Sequence, residues 1–362
     1  MRDKRVTIRD LAAECGLALS TVSNALAGKH HVSDETRKLV NSVAARIGYR
    51  ASALARGLRM QRSFALGVLM ADVANPAFPA FVRGIEDVAI RERYTLLLCN
   101  TDDDEEKQIR QMQTLIDRQI DGMVLISQHT SSPNVRRLLD SGIPFVLVQR
   151  RSPAFADDYV GSDNTNGIRV AVQHLYGLGH RRIAFIRGPV VSSTSLERFV
   201  AFETMVKEFG LDRSPDLIYQ GDYSGSSGTA ACEVFLALSK PPSGIIASND
   251  LNAFGVMDAA HARGLSIPQD LSVVGFDDIA LSSSRSLNLT TVHQPKREMG
   301  RAAAELLIKR IVGKRIKRPQ EIIFATELVV RGSTGPTRSQ MNVEIVGSPR
   351  AVQRRAKRSN LS

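Results

Sequence analysis

Cysteine is scarce in this chain: three in 362 residues, Cys15, Cys99 and Cys232, far apart and odd in number. That pattern argues against a disulfide framework or a zinc site. The expected state is three reduced thiols, mostly buried as small hydrophobes. Long apolar runs are missing too. None approaches the roughly 18 residues needed to span a bilayer, and the opening MRDKRVTIRD lacks the apolar core of a secretory signal. A cytoplasmic protein with no membrane partner is expected. Motifs of catalysis are also absent. No GxGxxG opens a helix after the first strand, there is no P-loop, and neither GLRMQRS nor GSDN is a nucleophile motif. Neither an enzyme, a cofactor nor a metal is expected.

What is present is positive charge, unevenly placed. The net charge is +11. Residues 1–62 hold 12 Lys/Arg against 5 Asp/Glu, a net of +7, and residues 337–362 hold 6 against 1, a net of +5. The intervening 63–336 is near neutral, with 30 against 31. A basic head on a neutral body suits a protein that grips phosphates with one end. At 43% apolar and 23% charged residues the composition is that of an ordinary soluble protein with room for two or three domains.

The head is organised around residues 7–26, TIRDLAAECGLALSTVSNAL. Thr7 can cap a helix whose apolar face is Ile8, Leu11 and Ala12, and Gly16 stands where a C-cap glycine would end it. Ser20 reopens a helix with Val22, Ala25 and Leu26 on its apolar face. Two helices so tightly joined make a helix-turn-helix, whose second helix can lie in the major groove of DNA. A third helix opens at Ser33 and runs through Val40, Val43, Ala44 and Ile47 to Gly48-Tyr49.

Beyond the polar linker RMQRS, short apolar runs alternate with amphipathic segments of ten to fifteen residues. FALGVLMAD, YTLLLCNTDDD, DGMVLIS, FVLVQR and YVGSDN read as strands and their exits; PAFPAFVRGIEDVAIRERY and EEKQIRQMQTLIDRQI read as helices. The pattern restarts at NGIRVAVQHLYGLGH and continues to LSVVGFDD. Such alternation means βαβ units and a parallel sheet. Two similar halves follow, with EMGRAAAELLIKRIVG returning to the first and EIIFATELVVRGS lying partly in each. A ligand cleft is expected between their strand C-terminal ends.

The run TIRDLAAECGLALSTVSNAL…VSDETRKLV…IGYRASALARGLR resembles the headpiece of the lactose-repressor (LacI/GalR) family. NPAF, LLLCNTDDDEEKQ, RQIDGMVLIS, LGHRRIAFIRGP, ASND, PQDLSVVGFDD and LTTVHQPKREMG extend the resemblance over about residues 6–335, and through that family to periplasmic sugar-binding proteins. It implies an α/β fold: a helix-turn-helix headpiece (1–50), a hinge helix and linker (51–62), and an effector-binding and dimerisation domain (63–335). The latter has two doubly wound subdomains, about 63–163 with 294–325 and 164–293 with 326–335. A basic tail, 336–362, has little apolar periodicity and is expected to be disordered.

By the same resemblance Leu19, Ser20 and Asn24 face base edges. Asn24 is the most informative, since an amide can bond adenine in two places; the family often has arginine or histidine there, so a different operator preference is implied. Its competing reading is a surface amide touching only phosphate or water. Thr7, Thr21, Ser23 and His30 are expected at phosphate or sugar, where contacts position but do not specify. Leu58 matches the hinge leucine that wedges into the minor groove. Phe78, Asp163, Arg198, Tyr223, Asn249 and Asp277 match positions lining the family's effector pocket. An arginine, carboxylates and an amide suit a polyhydroxy ligand, and the two rings suit its apolar side. Asp277 could instead cap a helix and Arg198 could simply pair with a carboxylate.

The expectation is therefore a sequence-specific DNA-binding transcriptional regulator, a repressor controlled by a sugar or related metabolite. It would bind a palindromic double-stranded operator as a homodimer, since no heptad tail follows residue 335. An activator, or a purine-responsive regulator of the same family, is the alternative. A plain solute-binding protein is opposed by the headpiece.

Overall fold

The computed structural model describes residues 6–27, 29, 32–49, 62–313 and 318–337. His30, Leu58 with the rest of 51–61, and the tail from 338 lie outside the described residues. The chain divides into two compact units, Met1–Phe64 and Ala65–Ser362.

Among its described residues the first unit has three helices: α1 (Ile8–Cys15), α2 (Leu19–Leu26) and α3 (Asp34–Arg46). Thr7 starts α1 with a reciprocal cap. Its Oγ1 accepts from the Asp10 amide at 3.3 Å, and Asp10 Oδ2 accepts from the Thr7 amide at 2.8 Å. Gly16 closes the helix at φ 64°, a conformation that costs glycine nothing. Ser33 caps α3 by accepting from the Thr36 amide at 3.2 Å. The second helix begins at Leu19, one residue ahead of the expected Ser20. Ala18 occupies the cap without a side-chain bond, so local chemistry marks this start weakly. Leu11, Val22, Val40 and Val43 meet in the one small core of this unit, with Ala12, Ala25, Val32 and Ala44 around them.

The second unit is built from two six-stranded sheets. The first has the order β11-β5-β4-β3-β1-β2, all parallel: β1 (Ala65–Met70), β2 (Thr95–Asn100), β3 (Gly122–Ile126), β4 (Phe145–Val148), β5 (Tyr159–Ser162) and β11 (Glu321–Phe324). The second has the order β12-β10-β9-β8-β6-β7: β6 (Ile183–Arg187), β7 (Ile218–Gln220), β8 (Gly244–Ile246), β9 (Ser272–Asp277), β10 (Thr290–His293) and β12 (Glu327–Val329). Only β12 runs antiparallel to its neighbour. Central strands such as β3 and β9 are buried at every residue, which is why β3 reads as an unbroken apolar run and β9 carries polar residues only at its ends.

Helices cover both faces. Those of the first half are α4 (Phe78–Arg91), α5 (Glu105–Asp117), α6 (Pro133–Leu139) and α11 (Lys296–Ile311); those of the second are α7 (Asn164–Gly177), α8 (Ser193–Glu208), α9 (Gly225–Leu236) and α10 (Asp250–Ala262). The C-terminal helix α11 returns to lie on α4, β3 and β4. The chain crosses between halves three times, around Asp163, Gln294 and Thr326, and these crossovers are bonded to one another. Thr326 Oγ1 donates to the Asp163 carbonyl at 2.9 Å, and Ser162 Oγ donates to Gln294 Oε1 at 2.8 Å. Among the described residues no helix is long and apolar enough to cross a membrane. All three thiols are free; burial pushes that of Cys232 up to about 11.

Candidate DNA-reading helix and effector cleft

The second headpiece helix has two faces. Val22 and Ala25 point into the core, while Leu19 is 46% exposed and Ser20 is exposed beside it. Thr21, Ser23 and Asn24 are half-buried on its flanks. An exposed leucine at the first turn of a short helix costs apolar surface to water, which contact with a thymine methyl would recover. Thr7 is exposed, but its hydroxyl is already engaged: Oγ1 donates to Asp10 Oδ2 at 2.7 Å. That hydroxyl thus serves the cap of α1, whose N-terminal amides favour anions.

In the second unit five of the six expected effector residues line one narrow cavity between the two halves: Phe78, Arg198, Tyr223, Asn249 and Asp277. Asp163 is not among its lining residues. It sits at the first crossover, where its Oδ1 accepts from the Asn166 amide at 2.8 Å and caps α7. The side-chain oxygens of Asn and Asp favour such caps, so that competing role was open from the sequence. Asn75, Phe81, Ser127, Gln149 and Thr194 also line the cavity and were missed.

Arg198 is the most constrained of the group, at 3% exposure. Its Nε donates to Asn164 Oδ1 at 2.9 Å and its Nη1 to the Ser248 carbonyl at 2.5 Å. The guanidinium carbon stands 3.5 Å from the centre of the Phe276 ring. Asp277 accepts from Gln294 Nε2 at 2.6 Å, and its carbonyl accepts from the buried Lys296 ammonium. Burial raises the Asp277 carboxyl above its ordinary range, and the charges of Arg198 and Lys296 pull it back. Asp250, beneath it, is pushed up to about 7 by burial and by the charge of Asp277. Its carboxylate accepts from Ser282 Oγ at 2.6 Å, Thr291 Oγ1 at 2.5 Å and the Ile279 amide at 2.9 Å. Two buried cations, Arg198 and Lys296, thus stand beside two buried carboxyls whose burial favours their uncharged form.

Tyr223 and Asn249 are positioned by each other. Asn249 Nδ2 donates to the Tyr223 carbonyl at 2.9 Å while its Oδ1 caps α10, accepting from the Asn252 amide at 2.9 Å. The Tyr223 hydroxyl lies 3.0 Å from Ser192 Oγ and 3.3 Å from Thr194 Oγ1. Three lining residues hold left-handed backbone at strand ends: Ser127 at φ 54°, Gln149 at φ 73° and Asp277 at φ 124°. None is glycine, so the surrounding structure must hold each one there, a pattern that concentrates at binding sites. Gln149 Nε2 donates to Gln294 Oε1 at 2.7 Å, completing a chain from the first half through the crossover to Asp277.

Residues 7–52 match the bacterial regulatory proteins of the lacI family, and residues 172–334 match the periplasmic binding protein-like domain. Over 305 residues the chain is 33% identical to catabolite control protein A of Priestia megaterium, which spans 84% of this chain and 92% of that protein. The chain belongs to the LacI family of bacterial regulatory proteins. It is also 34% identical to the ribose operon repressor of Halalkalibacterium halodurans, over 91% of this chain and 97% of that one. The solved complex of the transcriptional regulator CelR with cellobiose, 28% identical, superposes with a TM-score of 0.70 and covers 91% of this chain and 100% of its own. This LacI-family protein is thus a DNA-binding transcriptional regulator with an effector-type domain.

Proposed function

We propose that this regulator represses transcription from a palindromic operator, which it binds as a homodimer in the cytoplasm, and that an uncharged polyhydroxylated effector, a sugar, occupies the cleft. The observation that carries the effector class is the convergence of Arg198, Asp277, Asn249, Tyr223 and Phe78 on one cavity. Arg198 has an Nη2 with no hydrogen-bond partner among the described residues, and Asp277 has an Oδ2 in the same state. A vicinal diol can accept from the Arg198 Nη2 and donate to the Asp277 Oδ2. A charged ligand would carry the cost of its own desolvation. The ring faces of Phe78 and Tyr223 cover the apolar side of a pyranose or furanose. Sugars in the names of the ribose repressor and of the CelR complex support the same class.

On the DNA side, Leu19, Ser20 and Asn24 read base edges from α2, and Thr7, Thr21 and Ser23 hold phosphate or sugar. His30 and the Leu58 wedge belong to the same proposal. Exposed apolar residues on the first half, Ile90 of α4 at 68% and Leu98 of the edge strand β2 at 53%, offer a second copy surface to cover. No catalytic role is assigned. The test is a thermal-shift screen with D-ribose, D-glucose, cellobiose and hypoxanthine, followed by gel shift on the selected operator. A sugar should raise the melting temperature and change operator affinity. Stabilisation by hypoxanthine alone overturns the sugar class, and a response by none of the four overturns this reading of the cleft.

A further inference from the structure

The effector arginine is held by residues that lead out of the cavity to the rim. Asn164, at the start of α7, is 2% exposed and accepts from Arg198 Nε through Oδ1. Its amide is oriented from the other side, because Asn164 Nδ2 donates to Glu197 Oε2 at 2.7 Å. A carboxylate can only accept, so it fixes which end of the amide turns toward the arginine. Turned over, Asn164 would point an N–H at a guanidinium N–H. Glu197 is in turn held from the opposite half. Its Oε1 accepts from Arg151 Nη2 at 3.2 Å and Nε at 3.3 Å. Arg151 follows β4, pairs also with Glu321 of β11, and lies with its guanidinium carbon 4.8 Å from the centre of the Tyr159 ring. The backbone amide of Arg151 donates to Ser193 Oγ of the second half at 3.0 Å, so three bonds cross the rim at this one residue.

We propose that Asn164 and Glu197 are positioning residues for Arg198, and that Arg151 makes their hold depend on closure of the two halves. The relay runs Arg151, Glu197, Asn164, Arg198. The first member belongs to one half and the other three to the other. When the halves part, Glu197 loses its cationic partner, the constraint on the Asn164 amide weakens, and Arg198 is no longer fixed for ligand. Effector affinity then contains a contribution from an ion pair that touches no ligand. Arg151 is 38% and Glu197 28% exposed in the side chain, so that contribution is modest and open to salt.

This inference rests on the reading of Arg198 as an effector contact, and its test separates the two. The probe is whichever of D-ribose, D-glucose or cellobiose gives the largest thermal shift with the full-length protein, and its affinity is measured by calorimetry. R198A should abolish binding; if it binds as wild type, the reading of the cleft fails and the relay with it. N164L, which leaves Arg198 Nε without its acceptor, should weaken binding about tenfold while operator binding in the absence of sugar stays unchanged. R198K provides the background in which coupling is read: adding N164L to R198K should cost less than N164L alone, because positioning residues act only through the group they position. Equal cost in both backgrounds makes Asn164 merely structural. For the rim, wild-type affinity should fall about two- to threefold between about 0.05 and about 0.5 M NaCl, and R151Q and E197Q should both start lower and lose that slope. Wild-type affinity and slope in those two variants would overturn the closure arm.

Discussion

Gly84 of α4 and Gly300 of α11 meet where the two helices cross. A Cβ on Gly84 would stand 2.0 Å from the Arg297 carbonyl oxygen, and one on Gly300 would stand 2.2 Å from that of Phe81. The second half repeats the device: a Cβ on Gly228 would meet the Asn252 carbonyl at 2.0 Å, and one on Gly255 that of Gly225 at 1.9 Å. These contacts are with backbone, which cannot swing aside. Gly84→Ala should therefore destabilise the second unit by at least about 1–3 kcal/mol, the ordinary cost of overpacking. Denaturant unfolding with a wild-type midpoint would show that the helices separate freely.

The headpiece cap gives a second prediction. Thr7→Ala removes the hydroxyl that accepts from the Asp10 amide, and should cost the headpiece about 1 kcal/mol. It should also weaken binding to specific and non-specific DNA alike, since phosphate contacts carry no sequence information. Titrations showing a loss confined to the specific operator would rule out this placement of Thr7.

Readout should behave differently. Asn24→Ala ought to relax preference at one base pair in each half-site, costing about 1–3 kcal/mol on the preferred sequence and little on others. Selection from a randomised operator library decides it: an unchanged consensus leaves Asn24 as a surface amide.

In the cleft, Asp277→Ala should abolish the response to sugar and leave operator binding intact. The substitution removes the carboxylate proposed to accept from the ligand and the partner of Gln294 Nε2. Calorimetry that returned wild-type sugar affinity would remove Asp277 from the site.

Stability should depend on pH with a definite sign. The folded chain raises the Asp250 carboxyl to about 7 and raises Asp277 as well, whereas the unfolded chain releases both protons near pH 4. Between those values the native state holds more protons at Asp250, so the stability it contributes falls as pH rises from about 4 to about 7, and Asp277 adds a decline of the same sign. Asp250→Asn should remove much of that slope. A wild-type protein with no such decline would mean that the three donors around Asp250 keep it ionised throughout.

The parts legible in the sequence are those written in periodicity and cap chemistry. Thr7, Gly16 and Ser33 mark their helix ends where the structure has them, and buried runs such as GMVLI could hardly be anything but interior strands. Ala18 carries no cap signal, so the start of α2 slipped by one residue. In the cleft, residues at the ends of obvious strands were found, but Ser127 and Gln149 were not. Their left-handed backbone is imposed by the assembled sheet, and no glycine or Asn-Gly pair announces it. Asp163 was drawn toward the cleft by its place at a crossover; the same place gave its carboxylate a helix to cap. Asn164, one residue on, is the one bonded to Arg198.

The two outermost strands β11 and β12 come from a single stretch, residues 321–329, with one strand closing each sheet. As the chain leaves the ribosome, neither half of the effector domain has its full set of strands until that stretch has emerged, and then both receive their last strand almost at once. The headpiece, complete in its first fifty residues, has no such wait. The nascent protein would thus acquire its DNA-reading helix long before the domain that is to govern it.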